Sequence, residues 1–274
     1  MILLNGSKVP CEERFPDGTF AFHVFRQDAS YEGKAVISWK YEGEEEMAAL
    51  YYLVKHIRMR FGIKDISLFL PYCPNARNDR CHHDYEVFTL KYFADFINSM
   101  RFERVSILDP HSSVTAALID GCEVLSAEPY IRMAIRRIGD PELLLFYPDE
   151  GAMKRYSDMV KAPYGFGIKR RCWETGEITG LDVVCGTEIR GKNVLIVDDI
   201  CCRGGTFFYS AKELKRRGAK SVSVFCTHCE HAVFDGELLT TGYVDHIYTT
   251  DSIFSKEHEK ITVFPILGEG VAHA

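Results

Sequence analysis

The sequence predicts an α/β protein built on parallel β-sheets. Short runs of apolar and β-branched residues alternate along the chain with longer segments whose apolar residues recur at helical spacing. This alternation is typical of units in which a helix connects two parallel strands. The run NVLIVDDI at 193–200 is almost wholly apolar up to its carboxyl end, as expected for a parallel strand that is covered on both faces.

In the first half of the chain, the pattern predicts strands and helices in alternation. The helix at 44–61 starts with acidic residues and ends with basic ones, which matches the helix dipole. The strand at 65–72 stops at Pro71, because proline has no backbone N–H to offer a sheet. The predicted strands are 21–25, 35–39, 65–72 and 104–110, and the predicted helices are 44–61, 87–100, 112–119 and 130–139.

The second half repeats this order. The segment 172–191 is rich in Gly and Thr and is predicted to be a mobile excursion or a hairpin rather than a packed element. Because the halves are similar in construction, we expect two domains, at 1–140 and 141–274. The predicted strands are 143–149, 164–171, 193–200, 221–227 and 244–250, and the predicted helices are 152–162 and 206–218.

Composition and charge exclude several classes of protein. The chain has 274 residues, of which 46% are hydrophobic and 26% charged, as in folded globular proteins. Its net charge of −6 argues against a dedicated nucleic-acid binder. No apolar run approaches the roughly 18 residues that span a bilayer, and the start of the chain lacks the features of a signal peptide. We therefore expect a cytoplasmic protein without a membrane partner.

The ten cysteines are spread over the whole length and are expected to be mostly reduced. One cluster has metal-like spacing: Cys226 and Cys229 are separated by two residues, and His228 and His231 are interleaved with them. Structural zinc normally needs two pairs of ligands, and the sequence has no second pair of this spacing. The cluster is therefore interpreted as a strand end, and a zinc-binding interaction module is kept as an alternative.

The most specific motif follows the strand at 193–200. Asp198 and Asp199 end this strand, and a glycine-containing turn then leads into the next predicted helix. Paired carboxylates can accept hydrogen bonds from the two vicinal hydroxyls of a ribose, and the N–H groups that open a helix can hold a phosphate. A capped surface turn would not need two adjacent acids at the strand end. The motif therefore favours a ribose-phosphate site.

These residues resemble the phosphoribosyl pyrophosphate motif of the type I phosphoribosyltransferase fold. Phosphoribosyltransferases and ribose-phosphate pyrophosphokinases (PRPP synthetases) share this motif, and further stretches resemble those of the second family. PYCPNARNDR at 71–80 is similar to its PYxxYARQDR, DPH at 109–111 to its DLH, and YPDEG at 147–151 to its SPDxG. FPDG at 15–18 matches its FxDGE apart from Thr19. CTH at 226–228 matches a CTH motif that the family carries on a late strand.

The motifs occur in the order of that family and cover essentially the whole chain. The resemblance implies two type I phosphoribosyltransferase-like domains, each with a central, mainly parallel sheet flanked by helices. It implies an enzyme that transfers the β,γ-diphosphoryl group of Mg-ATP to the anomeric 1-hydroxyl of ribose 5-phosphate, giving PRPP and AMP. Members of this family usually form dimers or hexamers, in which the FPDG loop completes the ATP site of a neighbour.

The resemblance also implies roles for individual residues. Guanidinium groups can clamp a polyphosphate, and a carboxylate is a more natural ligand for Mg²⁺ than an imidazole. Lys169 and Arg171 are separated by one residue on a predicted strand, so their side chains should project to the same side of the sheet. The implied ATP-binding residues are Phe15, Asp17, Arg77, Asn78, Asp79 and Arg80; the metal ligands are His111 and Asp149; the catalytic residues are Lys169 and Arg171; and the ribose-phosphate-binding residues are Asp198, Asp199, Cys202, Arg203, Gly204, Gly205 and Thr206.

The loop at 198–206 departs from the family pattern. The usual pattern is DDxxDTxGT, whereas this chain reads DDICCRGGT, with Cys202 in place of an acid and Arg203 in place of a threonine. Asn78 stands for the usual glutamine. Since the loop has lost an anion and gained a guanidinium, it should accept more negative charge at the ribose 5-position. Ribose 5-phosphate remains the first expectation for the acceptor, and ADP-ribose, from NAD-related metabolism, is the alternative.

Two other functions fit the sequence less well. A phosphoribosyltransferase would need only one such domain and would leave the motifs at 77–80, 109–111 and 147–151 unexplained. A catalytically inactive paralogue would lack Lys169 or Arg171, and both are present.

Overall fold

A computed structural model describes residues 1–26, 33–171 and 178–266 of the chain. It confirms the predicted α/β class, since two mainly parallel sheets are flanked by helices. The chain divides into two compact units, which run from Met1 to Ser126 and from Ala127 to Ile266. None of the described helices combines the length and the apolar character that a membrane span requires.

Unit 1 contains a sheet of six described strands. Its elements are β1 (Ile2–Leu4), β2 (Ser7–Lys8), β3 (Lys34–Trp39), α1 (Glu46–Phe61), β4 (Asp65–Leu70), α2 (Thr89–Ser99), β5 (Arg104–Leu108), α3 (Ser113–Leu118) and β6 (Cys122–Leu125). The strand order is β2-β1-β3-β4-β5-β6. Strands β3 to β6 are parallel, while β1 is antiparallel to both β2 and β3.

The first strands of unit 1 differ from the prediction. β1 and β2 form a hairpin whose turn residues, Asn5 and Gly6, both have positive φ angles (49° and 82°), as a two-residue hairpin turn requires. The strand predicted at 21–25 is wrong, because this segment has no strand structure. Phe22 and Val24 nevertheless pack against the core. The apolar residues of this segment alternate because one side of it faces the core. The segment itself is irregular and does not pair with a neighbouring strand in the described part of the chain.

Unit 2 contains a sheet of seven described strands. Its elements are α4 (Glu128–Ile138), β7 (Leu144–Tyr147), α5 (Glu150–Tyr156), β8 (Tyr164–Arg171), β9 (Ile178–Cys185), β10 (Asn193–Cys201), α6 (Gly205–Arg216), β11 (Ser221–Cys229), a 3₁₀ helix (His231–Asp235), β12 (His246–Thr250) and β13 (Ile261–Phe264). The strand order is β13-β12-β11-β10-β7-β8-β9, and every pair is parallel except β8 and β9.

The described part of the Gly- and Thr-rich segment pairs with the preceding strand, as a hairpin would, but it is also a packed element, contrary to the prediction, because Leu181 and Ile189 are buried in the core of unit 2. Its second half, β9, pairs with β8 in an antiparallel ladder, and residues 172–177 lie outside the described part of the chain. The units divide before α4, earlier than the predicted division near residue 140. The physical reason is that α4, which buries Tyr130, Ile131 and Ala134, packs against β11 and β12 of unit 2.

Candidate active site

In unit 2, the acidic pair of residues lies at the end of β10, as the sequence predicts. Asp198 is partly exposed, whereas Asp199 is buried. Arg155 of α5 donates from Nη1 to Asp199 Oδ2 at 3.2 Å. The carboxylates also accept neighbouring backbone N–H groups, from Asp199 to Asp198 Oδ1 at 3.0 Å and from Ile200 to Asp199 Oδ1 at 2.8 Å. These contacts hold both side chains in defined orientations.

A third carboxylate, Asp149, lies close to this pair. It caps α5, since its Oδ1 accepts the backbone N–H of Ala152 at 3.0 Å. Burial and the negative charges of Asp199 and Asp149 raise the pKa of Asp198 well above its usual range. A divalent cation would relieve the repulsion among these carboxylates, and oxygen ligands of this kind suit Mg²⁺. The arrangement therefore fits the metal role that is expected of Asp149.

The turn between β10 and α6 has the form of an anion site. Gly204 has a φ angle of +78°, and a Cβ atom on it would lie 2.7 Å from a side-chain carbon of Leu238, so glycine is required there. The first N–H groups of α6 have no partner within the helix and can hold a phosphate. Cys202 is partly exposed, and Arg203 is exposed. Among the described residues, no hydrogen bond or ion pair is made by the Arg203 guanidinium.

The two expected catalytic residues lie in β8. The structure describes the backbone of Lys169 and Arg171 as part of this strand, and their side chains lie outside the described part. The register between β8 and β9 shifts between Arg170 and Arg171. We expected Lys169 and Arg171 to project to the same side because side chains alternate regularly along a strand, and this shift interrupts that alternation. Their catalytic roles stay predictions.

In unit 1, the predicted ATP segment follows β4. The Asn78 side chain ties this connection to the start of α2, because its Nδ2 donates to Val87 O at 2.8 Å and to Thr89 Oγ1 at 3.1 Å. Arg77 and Arg80 are exposed. Asn78 therefore shapes the loop, while the two guanidinium groups are at the surface where a polyphosphate can reach them.

The end of β5 brings His111 close to Asp79. Burial acts to raise the pKa of Asp79, but a hydrogen bond from Arg80 at 3.0 Å and the charges of Arg80 and His111 outweigh it and lower this pKa. Asp109, just before His111, is buried and has a φ angle of +43°, which is rare for a residue with a side chain. Such backbone conformations cluster at functional sites. The structure thus brings two predicted site residues together in unit 1.

The FPDGT loop near the start of unit 1 is a compact turn. The N–H of Phe15 donates to Thr19 O, and that of Gly18 donates to Phe15 O, both at 2.8 Å. Asp17 accepts the N–H and the hydroxyl of Thr19 at 3.0 and 2.7 Å, and these bonds lower its pKa. Phe15 remains 56% exposed. The loop therefore presents an aromatic ring on an ordered turn.

Sequence reasoning missed two features of unit 2. Arg155, which positions Asp199, falls within a predicted helix, and no motif marked it. Cys201 joins Cys226 and Cys229 in a buried group, in which the Sγ atoms lie within 4.8 Å of one another. Parallel pairing of β10 with β11 places Cys201 opposite Cys229, and the spacing of residues along the sequence does not reveal this register.

Comparison with known sequences supports the resemblance. The model of the phosphoribosyl transferase domain family matches residues 169–237, which include the acidic pair and the turn into α6. A ribose-phosphate pyrophosphokinase from Thermococcus kodakarensis is 32% identical over 247 residues, which cover 88% of this chain and 84% of the relative. Another, from Saccharolobus solfataricus, is 28% identical over 255 residues, covering 91% and 86%.

A solved structure has the same fold. The crystal structure of phosphoribosylpyrophosphate synthetase from Mycobacterium smegmatis matches with a TM-score of 0.73 at 21% sequence identity. The match covers 93% of this chain and 85% of that chain. Together with the matched domain family, it confirms the predicted pair of phosphoribosyltransferase-like domains.

Proposed function

The chain belongs to the ribose-phosphate pyrophosphokinase family, and we propose that it transfers the β,γ-diphosphoryl group of Mg-ATP to the anomeric 1-hydroxyl of ribose 5-phosphate. The products would be PRPP and AMP. The observation that carries this proposal is the acidic end of β10, which leads directly into the turn that opens α6. One strand end thereby combines groups for ribose hydroxyls with groups for a phosphate.

The acceptor would bind to unit 2. Asp198 and Asp199 would accept hydrogen bonds from the ribose hydroxyls, and the ion pair with Arg155 would keep Asp199 oriented for this contact. The backbone N–H groups at 203–206 would hold the 5-phosphate, which the positive end of the α6 dipole would also stabilise. Gly204 permits this backbone course.

ATP would bind to unit 1. The guanidinium groups of Arg77 and Arg80 would pair with its phosphates, since planar donors of this kind bind phosphate oxygens in pairs. Asp79 holds Arg80 in place through their ion pair at 3.0 Å. The family resemblance adds Phe15 and Asp17, and Asn78 would contribute by holding the loop.

Magnesium is the expected cofactor. Asp149 offers a carboxylate next to Asp198, whose pKa is raised by burial and by the charges of Asp199 and Asp149. A bound cation would offset this repulsion. His111 would be a further ligand by family resemblance. The ion would neutralise phosphate charge during the transfer.

The transfer itself needs little covalent help from the protein. Positioning and neutralisation of charge dominate diphosphoryl transfer of this kind. Lys169 and Arg171 would stabilise the charge that develops on the transferring group. The strand ends of unit 2 carry three carboxylates, which would repel the phosphates. The cations of β8 would offset this repulsion.

The experiment that tests the proposal is an acceptor-dependent assay for AMP. Purified protein is incubated with Mg-ATP, with and without ribose 5-phosphate, and AMP is measured by chromatography. We expect AMP and PRPP in equal amounts, only when both the acceptor and magnesium are present. Hydrolysis of ATP to ADP and phosphate, or consumption of supplied PRPP with a nucleobase but no AMP formation from ATP, would contradict the proposal.

One observation favours ADP-ribose as a second candidate acceptor. Arg203 is exposed beside the predicted phosphate turn and has no hydrogen-bond or ion-pair partner within the described ranges. A bidentate contact of this guanidinium with a second phosphate would contribute about 1.5–3 kcal/mol, which corresponds to about one to two decades in kcat/KM. A neutral Cys202 would not repel that phosphate.

The substitution Arg203→Thr separates the two acceptors. We expect it to lower kcat/KM for ADP-ribose by about ten- to a hundredfold, with a far smaller change for ribose 5-phosphate. The assay is the same AMP measurement with each acceptor in turn, and Arg190→Thr, at an exposed position of the same unit, is the control. Turnover of ribose 5-phosphate alone, unaffected by Arg203→Thr, would refute the larger acceptor.

Assembly and location are further parts of the proposal. The exposed Phe15 on an ordered turn supports a homodimer or homohexamer, in which this loop completes the ATP site of a neighbour. Light scattering of the purified protein would measure the oligomeric state. The cytoplasmic location stays a prediction.

A further inference from the structure

We propose that Cys201, Cys226 and Cys229 form a three-sulfur binding site for a thiophilic cation, Zn²⁺ in the first place, at the base of the ribose-phosphate turn. This site is separate from the magnesium site and does not depend on the activity proposed above. The sequence alone offered only the pair Cys226 and Cys229, and the fold supplies the third sulfur.

The register of two central strands brings these residues together. β10 and β11 run parallel, with Cys201 opposite Cys229 and Asp198 opposite Cys226. The three Sγ atoms all lie within 4.8 Å of one another. With Zn–S bonds of about 2.3 Å, the sulfurs of a tetrahedral site are about 3.8 Å apart, so closure on an ion needs movements of about 1 Å or less.

The surroundings of the cluster suit a bound ion better than they suit three separate thiols. The three residues are no more than 1% exposed. Because the three Sγ atoms lie within 4.8 Å of one another, a single ion could contact all of them. The thiolate is the form that binds metals. A buried negative charge is costly unless a cation or hydrogen bonds compensate it.

Buried cysteines of unit 1 provide the contrast. Cys11 and Cys73 are buried and do not belong to a cluster of metal-ligand type among the described residues. This is how a cysteine behaves when it serves as a small apolar side chain. The trio in unit 2 differs from them in geometry, because its three sulfurs lie within 4.8 Å of one another.

A set of three sulfurs leaves one position of a tetrahedral zinc ion open. His231 lies two residues after Cys229, at the start of the 3₁₀ helix. Its Nε2 accepts the backbone N–H of Ser255 at 3.2 Å, which leaves Nδ1 as the nitrogen for a metal. Its ring nitrogens are not among the ligand atoms that already lie within 4.8 Å of one another, so His231 would complete the site only after its side chain moves.

Binding of an ion would have a structural consequence for the turn. Cys201 is the last residue of β10, and the ribose-phosphate turn starts at the next residue. A metal bridge from Cys201 to β11 would fix the start of this turn. The proposed site thus supports the phosphate-binding backbone without contacting the substrate.

Cobalt titration of the reduced, metal-free chain tests the site. Sulfur-ligated Co²⁺ absorbs strongly in the near ultraviolet through charge transfer, and Zn²⁺ should displace it. We expect one equivalent per chain, displaced by one equivalent of Zn²⁺. Absence of this absorption in the wild-type chain would overturn the proposal, and that outcome does not depend on whether any variant folds.

Variants locate the site within the molecule. Cys229→Ser and Cys226→Ser should each weaken binding by about a hundredfold or more, and His231→Ala by a smaller factor. Cys185→Ser, at a partly exposed cysteine of the same unit, is the matched control and should bind like the wild type. Circular dichroism checks that each variant is folded. Unchanged binding by a folded Cys229→Ser chain, or loss in Cys185→Ser, would overturn the assignment.

Discussion

The two units place different sets of charged residues after the carboxyl ends of their strands. In unit 1, the segment after β4 carries the exposed Arg77 and Arg80, whereas in unit 2 β7 and β10 lead to Asp149, Asp198 and Asp199. Both units build these ends on a mainly parallel sheet. The fold therefore decides where ligand groups lie, and the side chains decide which ligand they would bind; we propose a polyphosphate for unit 1, and ribose hydroxyls and a metal ion for unit 2.

The connections at these ends differ as well. The one from β4 to α2 spans residues 71–88 and presents side chains, while that from β10 to α6 spans residues 202–204 and presents backbone N–H groups. A short turn with a required glycine leaves few conformations, so it suits one phosphate in a defined place. A longer connection with flexible cations suits a polyphosphate chain.

The largest effect is expected at Lys169 of β8, in unit 2. Lys169→Ala should lower kcat by about two or more decades with little change in stability, because it removes charge stabilisation of the transferring group. Steady-state AMP formation measures the effect, and Lys161→Ala, at an exposed position before β8, is the control. An unchanged rate would exclude Lys169 from the mechanism.

The next effect concerns the carboxylates of unit 2. Asp149→Asn should raise the magnesium concentration for half-maximal activity by about ten- to a hundredfold, since a neutral amide is a weaker ligand for a hard cation. Asparagine caps helices as well as aspartate does, so α5 should keep its stability. Magnesium titrations of the rate and a thermal melt separate the two roles, with the exposed Asp158→Asn as control. A lowered melting temperature with unchanged magnesium dependence would assign Asp149 a capping role only.

A smaller effect is expected in unit 1. Arg77→Ala should raise KM for ATP about tenfold, because one charge-assisted contact is lost, and should leave KM for the acceptor unchanged. Arg60→Ala, exposed on α1 of the same unit, should change neither constant. If Arg77→Ala raised both KM values equally, the assignment of separate substrates to the two units would be wrong.

Local patterns predicted most of the fold. β8 occupies residues 164–171 as predicted, and β10 exceeds its prediction by one residue. β10 is recognisable in the sequence itself because it is an almost wholly apolar run. The segment 21–25 was wrongly predicted as a strand because its apolar residues alternate as in a strand. A strand also needs a neighbouring strand to pair with, and the local pattern does not reveal whether one is present. The hairpin at Asn5 and Gly6 carried a turn signal that was overlooked.

The candidate site was predictable only where its residues are neighbours in sequence. Asp198 to Thr206 form one strand end and one turn, so a local motif describes them. The ion pair between Arg155 and Asp199 and the position of Cys201 opposite Cys229 depend on packing and register between distant segments. These contacts come from tertiary structure, which local spacing does not contain.

The smallest effect is expected at the other end of α6, away from the ribose-phosphate turn. Glu213 pairs with Arg216 and Arg217, and their hydrogen bonds, that of Arg216 foremost, lower its pKa to about 2. Because the arginines are 71% and 37% exposed, water screens the pairs, and Glu213→Gln should lower the free energy of unfolding by only about 0.5–1 kcal/mol at pH 7.

The pH dependence of this effect has a defined sign. Since the folded pKa lies below the ordinary value of 4.5, the stabilisation is present above that pH and is lost as pH falls towards 2. The difference between wild type and Glu213→Gln in urea unfolding should therefore shrink below about pH 4.5, while Glu257→Gln, at an exposed glutamate, shows no such difference. KM for the acceptor should not change, because the proposed phosphate contact involves only the first turn of α6. A raised KM would mean that the two ends of α6 are coupled, and that the strand ends alone do not set ligand choice in unit 2.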